Sequence, residues 1–321
     1  MANIQWGYAV NQWRNMEVDF VRKDQMESAF KVISVCGFNA IEITDTALGG
    51  HMIPDYFGTA HAFMEFLHGC GVERVCSLNT GIDFGVSPTN PADHDRMVAG
   101  ASRSAQFIAE LGATRLVVRP MPPYWREAPI TDEKIKAAAE CWNRVGEATR
   151  AAGVVTTMHV DFLCGVRNPE ALEKLLALTS PETVGLTLDT AELTIAGIDP
   201  VGFYKKHHAR VNHLHFKDAV TTDTLDEYKD PNAEIDYWPN NLILAGAKRH
   251  VERWYYEMGT PGGLVDFPAL AEAMLEHNYE GWVVVESDQS PFTEESVMLN
   301  GWYKRFVLSK VLTGNAHAAV R

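Results

Sequence analysis

Residues 184–218 read VGLTLDTAELTIAGIDPVGFYKKHHARVNHLHFKD. Two short runs rich in Val, Leu and Thr or His, 184–189 and 211–216, stand on either side of a helical stretch at 199–208. Strand, helix, strand in that order is a crossover, and a crossover pairs its two strands in parallel. The same unit recurs in both directions along the chain. Further strands are expected at 4–10, 39–44, 72–78, 114–119, 154–161 and 281–286. Further helices are expected at 24–36, 59–70, 91–111, 131–152, 168–178, 266–277 and 292–312. Eight such units closing on themselves give a (β/α)8 TIM barrel, here one domain over residues 1–321. An open doubly wound sheet fits less well, because no glycine-rich phosphate loop follows the first strand.

The helix ends support this division. NPEALEKLL (168–176) offers Asn168 as N-cap, Pro169 in the first turn and Glu170 near the positive end of the helix dipole. NPADHDRM (90–97) repeats the device, and TDEKI (131–135) caps a third helix. Gly37, Gly71, Gly112 and Gly153 each stand just before a strand, where helix C-caps belong. One connection breaks the rhythm. An insertion at 218–264 separates the seventh strand from the next helix. It follows a strand, so it belongs on the C-terminal face, where barrel enzymes carry their active sites. Its aromatics (Tyr228, Tyr237, Trp238, Trp254, Tyr255 and Tyr256) suit a lid over a substrate or an interface with another chain. The plainer alternative is a solvated excursion with its own small hydrophobic cluster.

Composition narrows the function classes. The chain has 321 residues, 46% hydrophobic and 22% charged, enough to bury a large core without disulfides. Lys plus Arg number 28 against 42 Asp plus Glu, a formal charge of −14. That balance argues against nucleic acid and against an anionic membrane surface as partners. The five cysteines are odd in number and form no CxxC, so neither a disulfide framework nor a zinc ribbon is suggested. MANIQWGYAV is no basic leader with an apolar run behind it, and no stretch reaches the ~18 apolar residues of a membrane helix. A cytoplasmic protein is expected.

Ionisable residues end four successive strands. His159 and Asp161 end the fifth, Asp189 the sixth, with Glu192 just beyond. The seventh carries His213 and His215, then Lys217 and Asp218, and the eighth ends in Glu286, followed by Asp288. Side chains alternate along a strand, so His213 and His215 share a face, as do His159 and Asp161. In a barrel those ends converge on one mouth. Carboxylates gathered there without a counter-ion would repel one another, and a divalent cation resolves the repulsion. Two or three carboxylates with a histidine suit Mn²⁺, Co²⁺, Mg²⁺ or Zn²⁺. Any one of these residues alone reads more simply as a cap or an ion-pair partner.

VGLTLDTAELTIAGIDP, VNHLHFKDA, GTPGGLVDF and EGWVVVESDQSP, with GFNAIEI at 37–43, resemble blocks of the xylose-isomerase-like barrels known as sugar phosphate isomerase/epimerases. The pattern resembles that of the inosose dehydratases. The resemblance implies one divalent metal, Mn²⁺ foremost, held from strands 5 to 8. It implies Asp189, His215 and Glu286 as ligands. The fifth-strand ligand of the family is commonly Glu, and this sequence departs there. By position His159 takes that place, and Asp161 lies two residues on. The expectation is Asp161 as fourth ligand and His159 as base. Glu192 departs again, standing where relatives often carry His. Glu42 matches a family acidic residue near the substrate, and Lys217 is expected to bind a substrate oxygen. These three, His159, Lys217 and Glu42, form the expected catalytic set.

The chemistry implied is α-proton abstraction beside a ketone through a stabilised enediolate. Loss of a β-substituent makes the enzyme a lyase, and return of the proton elsewhere makes it an isomerase or 3-epimerase. The His-x-Asp pair and the inosose-dehydratase-like blocks favour elimination from a keto-sugar or keto-glycoside. The aromatic insertion suggests the barrel subunit of a C-glycoside deglycosidase acting on 3-oxo-glycosides, with a small partner subunit. An oligomer is expected. A sugar-binding or scaffold subunit is the non-enzyme alternative.

Overall fold

Each β-branched run forms a strand within two residues of its expected place. The computed structural model describes residues 3–13, 23–44, 52–80, 85–127, 129–224, 251 and 253–313. In chain order the strands are β1 (Asn3–Ala9), β2 (Ala40–Thr44), β3 (Arg74–Asn79), β4 (Arg115–Val118), β5 (Val155–His159), β6 (Val184–Asp189), β7 (Val211–Phe216) and β8 (Glu280–Val285). They close into one parallel barrel in that order, with β8 pairing back onto β1. The chain is a (β/α)8 barrel.

The expected helices are α1 (Lys23–Val35), α3 (Ala60–Gly69), α4 (His94–Glu110), α6 (Asp132–Arg150), α7 (Pro169–Leu178), α9 (Pro200–His207), α10 (Phe267–Glu276) and α11 (Thr293–Tyr303). The last continues through a π-helical turn, Lys304–Leu308, into α12 (Ser309–Leu312). Three short helices were not expected: α2 (Met52–Phe57), α5 (Tyr124–Glu127) and α8 (Thr190–Ile195). The caps work as their sequences suggest. Asn168 accepts from Glu170 N, Thr131 from Lys134 N and Asn90 from Ala92 N. Gly71 takes φ +85°, its N–H reaching His68 O while Val72 N returns to Leu67 O. That closing turn needs a left-handed residue, which glycine supplies without strain.

Apolar residues divide between two places. The large cluster lies between strands and helices, with Phe30, Phe63, Trp142, Leu175, Leu214 and Phe267 fully buried or nearly so. A small one, Ala9, Ala40, Cys76, Trp282 and Val284, fills the barrel interior. The register of β2 against β3 shifts between Ile41 and Glu42. The shift skips Cys76, so Cys76 joins the interior cluster while Ser77 still reaches Glu42. Above this apolar floor the interior turns polar, and there the strand ends meet.

Of the expected insertion, residues 225–250 and 252, with Tyr228, Tyr237 and Trp238, lie outside the described residues. Its two ends are described. Asp218 and Tyr256 exchange backbone hydrogen bonds of 2.8 and 2.9 Å. The Asp218 carboxylate accepts from the backbone N–H groups of Ala219, Gly259 and Val265. A Cβ on Gly263 would lie 2.1 Å from that carboxylate, so only glycine fits there. Among the described residues, no helix is long and apolar enough to cross a membrane.

Candidate active site and metal centre

The end of β6 sets the site. Asp189 is fully buried and caps α8, its Oδ1 accepting from Glu192 N at 2.9 Å. That bond leaves Oδ2 to face the barrel axis. Oδ2 lies 3.1 Å from His159 Nε2, 3.1 Å from Lys217 Nζ and 3.6 Å from His215 Nδ1. Glu286, the residue after β8, approaches from the other side, its Oε2 2.8 Å from Lys217 Nζ and 3.3 Å from His215 Nδ1. Asp288 Oδ2 adds a third carboxylate on Lys217 at 2.7 Å. Asn11, just past β1, donates to both Glu286 and Asp288.

Behind this group lies Glu42, with no exposed surface. Ser77 Oγ donates to its Oε2 at 2.6 Å, and His213 Nε2 lies 3.0 Å from the same oxygen. His215 Nε2 sits 3.1 Å from Oε1. His215 therefore presents Nε2 to Glu42 and Nδ1 to the mouth. A histidine held on one nitrogen by a carboxylate has its other nitrogen aimed and its tautomer set.

Charge follows geometry. Burial alone would raise the Glu42 carboxyl, but His215 and His213 hold it well below the usual range. Asp189 is likewise held far down against its burial by Lys217 and His159. Glu286 stays near 2, burial outweighed by His215 and Lys217. The Lys217 ammonium is kept charged by Asp189, Asp288 and Glu286 despite full burial. Glu192 goes the other way: burial pushes it up to about 8. Its Oε1 accepts from Tyr255 OH at 2.5 Å and its Oε2 from Phe162 N at 2.9 Å. Tyr255 also lays its ring 4.1 Å from Lys217 Nζ.

Whether the residues suit a cation is decided by His215. Its Nδ1 makes no hydrogen bond, although two carboxylate oxygens flank it. An imidazole nitrogen between two carboxylates is a donor set that suits a divalent ion. His159, Asp189 and His215 bring donor atoms within 4.8 Å of one another, as do Glu42, His213 and His215. Carboxylates outnumber cationic side chains in the cluster, and a divalent ion balances that surplus.

The structure gathers Glu42, His159, Asp189, His215, Lys217 and Glu286, all expected at the site, into one cluster. It places Asp161 differently. Its Oδ2 is engaged by Arg119 Nε at 2.6 Å, and it shares no donor group with the other expected ligands. Its neighbour His159 stands there instead. β5 ends at His159, so Asp161 lies past the strand end, at the rim, where Arg119, the residue after β4, reaches it. Glu42 sits behind His215, enclosed by Ser77 and two histidines. Sequence reasoning missed Ser77 and Asn11. Asn11 could have been found as a polar residue just past a strand end; Ser77 gave no such signal, because a strand shift brings it inward.

The described end of the insertion forms a wall beside this cluster. Trp254 and Tyr255 are buried with Phe162, Ala191, Ile195 and Ala219 in a second small core. The rings of Phe162 and Trp254 lie 5.1 Å apart. Arg167 and Asp223 form a buried ion pair of 2.9 Å that ties the segment leaving β7 to the loop after β5.

The family model described as Xylose isomerase-like TIM barrel matches residues 30–302. The chain belongs to the xylose isomerase-like TIM barrel family. It is 24% identical over 302 residues to the inosose dehydratase of Lacticaseibacillus casei (strain BL23), covering 90% of each chain. Among solved structures it resembles the probable 3-DHS dehydratase involved in petrobactin synthesis from Bacillus anthracis, with TM-score 0.71 and 12% identity over 94% of this chain and 99% of that one. An L-ribulose 3-epimerase gives TM-score 0.69 at 14% identity over 100% and 99% of the two chains. The zinc-bound IOLI protein gives 0.66 at 15% identity, covering 98% and 100%. The structural likenesses are likenesses of fold. With this membership and this buried charged cluster, the chain is an enzyme of the family.

Proposed function

We propose that the protein is a divalent-metal-dependent lyase that dehydrates a keto-sugar, removing a proton beside a ketone and expelling a β-hydroxyl. The observation that carries this is the His215 Nδ1 nitrogen set between Asp189 Oδ2 and Glu286 Oε2, with Lys217 beside them. The dehydratase names of relatives in sequence and fold support the reaction class. His159, Asp189, His215 and Glu286 would hold the cation. Two carboxylates with two imidazoles admit Mn²⁺ among the divalent ions. A bound cation supplies Lewis-acid stabilisation to the oxygen that acquires charge as the enolate forms.

The chain's own groups would do the rest. Lys217 keeps its charge and offers an N–H to the same oxygen. Asp161, held by Arg119 at the rim, takes the proton-transfer place that the sequence assigned to His159. Glu192, whose carboxyl burial pushes up to about 8, is held by Tyr255 and would serve as proton donor for the departing hydroxyl. Glu42 fixes the His215 tautomer rather than touching substrate. Cytoplasmic residence agrees with five free cysteines.

A finer reading has its own support. Phe162, Trp254 and Tyr255 pack as a buried core beside the cluster, and would back the wall that an aromatic aglycone meets. On that reading the substrate is a 3-oxo-glycoside and the leaving group its aglycone. The epimerase reading rests on the L-ribulose 3-epimerase likeness. The deciding experiment strips the purified protein with chelator, reloads Mn²⁺, Co²⁺, Mg²⁺ or Zn²⁺, and assays three substrate classes. Water loss from an inosose supports the dehydratase, aglycone release from a 3-oxo-glucoside the deglycosidase, and ketose interconversion the epimerase. Turnover unchanged by complete metal removal would refute the proposal.

A further inference from the structure

The helix that follows β8, α11, has an apolar outer face. Its buried positions are Ser296, Val297, Asn300 and Gly301, while Met298, Leu299 and Trp302 are 54%, 48% and 56% exposed. Phe292 ahead of it and Phe306 beyond it are 67% and 46% exposed. Leu299, Trp302 and Phe306 follow one another at three and four residues, Met298 stands four before Trp302 and Phe292 seven before Leu299, so they form one stripe, about 20 Å long at 1.5 Å per residue. The inward face is committed elsewhere. Asn300 Nδ2 donates to Ser287 Oγ and Tyr8 OH, and its Oδ1 accepts from Met258 N. Gly301 lies against Cys36, and Lys304 donates to Gly37 O. The helix cannot roll to hide its apolar side.

Charge says what covers the stripe. Its N-terminal end carries exposed Glu294 and Glu295, and its C-terminal end exposed Arg305, set over the Phe306 ring at 5.4 Å. The stripe is acidic at one end, apolar in the middle and basic at the other. A two-fold axis crossing it near residues 299–300 turns the helix end for end. That places Glu295 against Arg305 of the partner subunit, and Met298 against Trp302 of the partner subunit. A parallel arrangement would set like charges together. An acidic membrane surface is disfavoured by the formal charge of −14.

We propose that this face is the interface of an isologous homodimer, with α11 paired antiparallel to its copy. Trp302 is its central anchor, supported by Met298 and Leu299, with the charged ends setting register. The proposal is independent of the reaction assigned to the barrel.

Analytical ultracentrifugation of the full-length protein at micromolar concentration tests it. The wild type is expected to sediment as a dimer or an even-numbered assembly. Trp302→Glu should raise the dissociation constant by about 30-fold or more, with unchanged circular dichroism, since the side chain is exposed. Glu295→Arg and Arg305→Glu should each weaken association, and the double variant should recover much of it. A monomeric wild type, an assembly indifferent to Trp302→Glu, or a double variant no better than its parents overturns the proposal.

Discussion

The two halves of the barrel share a backbone plan and differ at their strand ends. β5 to β8 bring His159, Asp189, His215, Lys217 and Glu286 to the mouth, whereas β1 to β4 bring mainly small and apolar residues with Ser77 and Glu42. Glu42 joins the halves by reaching from β2 to both histidines of β7, as do Asn11 past β1, which donates to Glu286 and Asp288, and Arg119 past β4, which holds Asp161. One half can thus hold an ion and substrate while the other aims and insulates it. Substitutions in the second half should abolish function, and those in the first should only weaken it.

The largest effect is expected at Asp189. Asp189→Asn removes the carboxylate shared by His159, His215 and Lys217, and leaves a buried ammonium with one partner fewer. Breaking a buried ion pair costs about 3–5 kcal/mol. Metal content by plasma emission should fall to background, and turnover by more than about 100-fold. Retained metal and turnover would remove Asp189 from the site and the contrast between halves with it.

Next comes the pair that ends β5. His159→Gln should lower metal occupancy and turnover together. Asp161→Asn should leave occupancy intact and lower kcat by about 100-fold, the scale of general acid–base catalysis. The reverse result, with metal lost only in Asp161→Asn, would restore the roles the sequence suggested. Glu42→Gln tests the bridging residue of the first half. It should weaken metal affinity by about 10–100-fold without abolishing turnover, the usual size for a group that orients a ligand. Calorimetric titration with Mn²⁺ measures it.

How much of this was legible follows from where each signal lies. The barrel could be read because each strand is a local run of β-branched residues and each helix carries its own cap, as Asn168 and Thr131 do. The β6, β7 and β8 ends could be read because an ionisable residue closing an apolar run stands out on its own. The contacts of His159 and Asp161 could not, because Asp161 meets Arg119, which lies 42 residues away along the chain. Helix α8 escaped notice because its cap, Asp189, already looked committed to the site; one oxygen does each job. Tyr255 was visible only as an aromatic, since its bond to Glu192 spans 63 residues.

The smallest expected effect lies at the far end of the first half and concerns pH. Lys304 extends its amine beneath β1 and β2, donating to Gly37 O and lying 4.5 Å from the Phe38 ring centroid. Burial lowers that amine to about 8 from its ordinary 10.5. Between those values the unfolded chain binds more protons here than the folded one. Stability from this residue therefore rises with pH across that window, and below about 8 the full cost of holding the charged amine is present. Lys304→Met keeps the stem against Trp6 and Phe38 and removes the titration. Relative to wild type it should gain on the order of 1 kcal/mol at pH 7, less the lost bond to Gly37, and the gain should shrink toward pH 10. Urea unfolding of both proteins at a series of pH values reads that difference. A difference independent of pH would mean that the amine titrates alike in the folded and the unfolded chain, and that its place beneath the quiet half of the barrel does not penalise the charge.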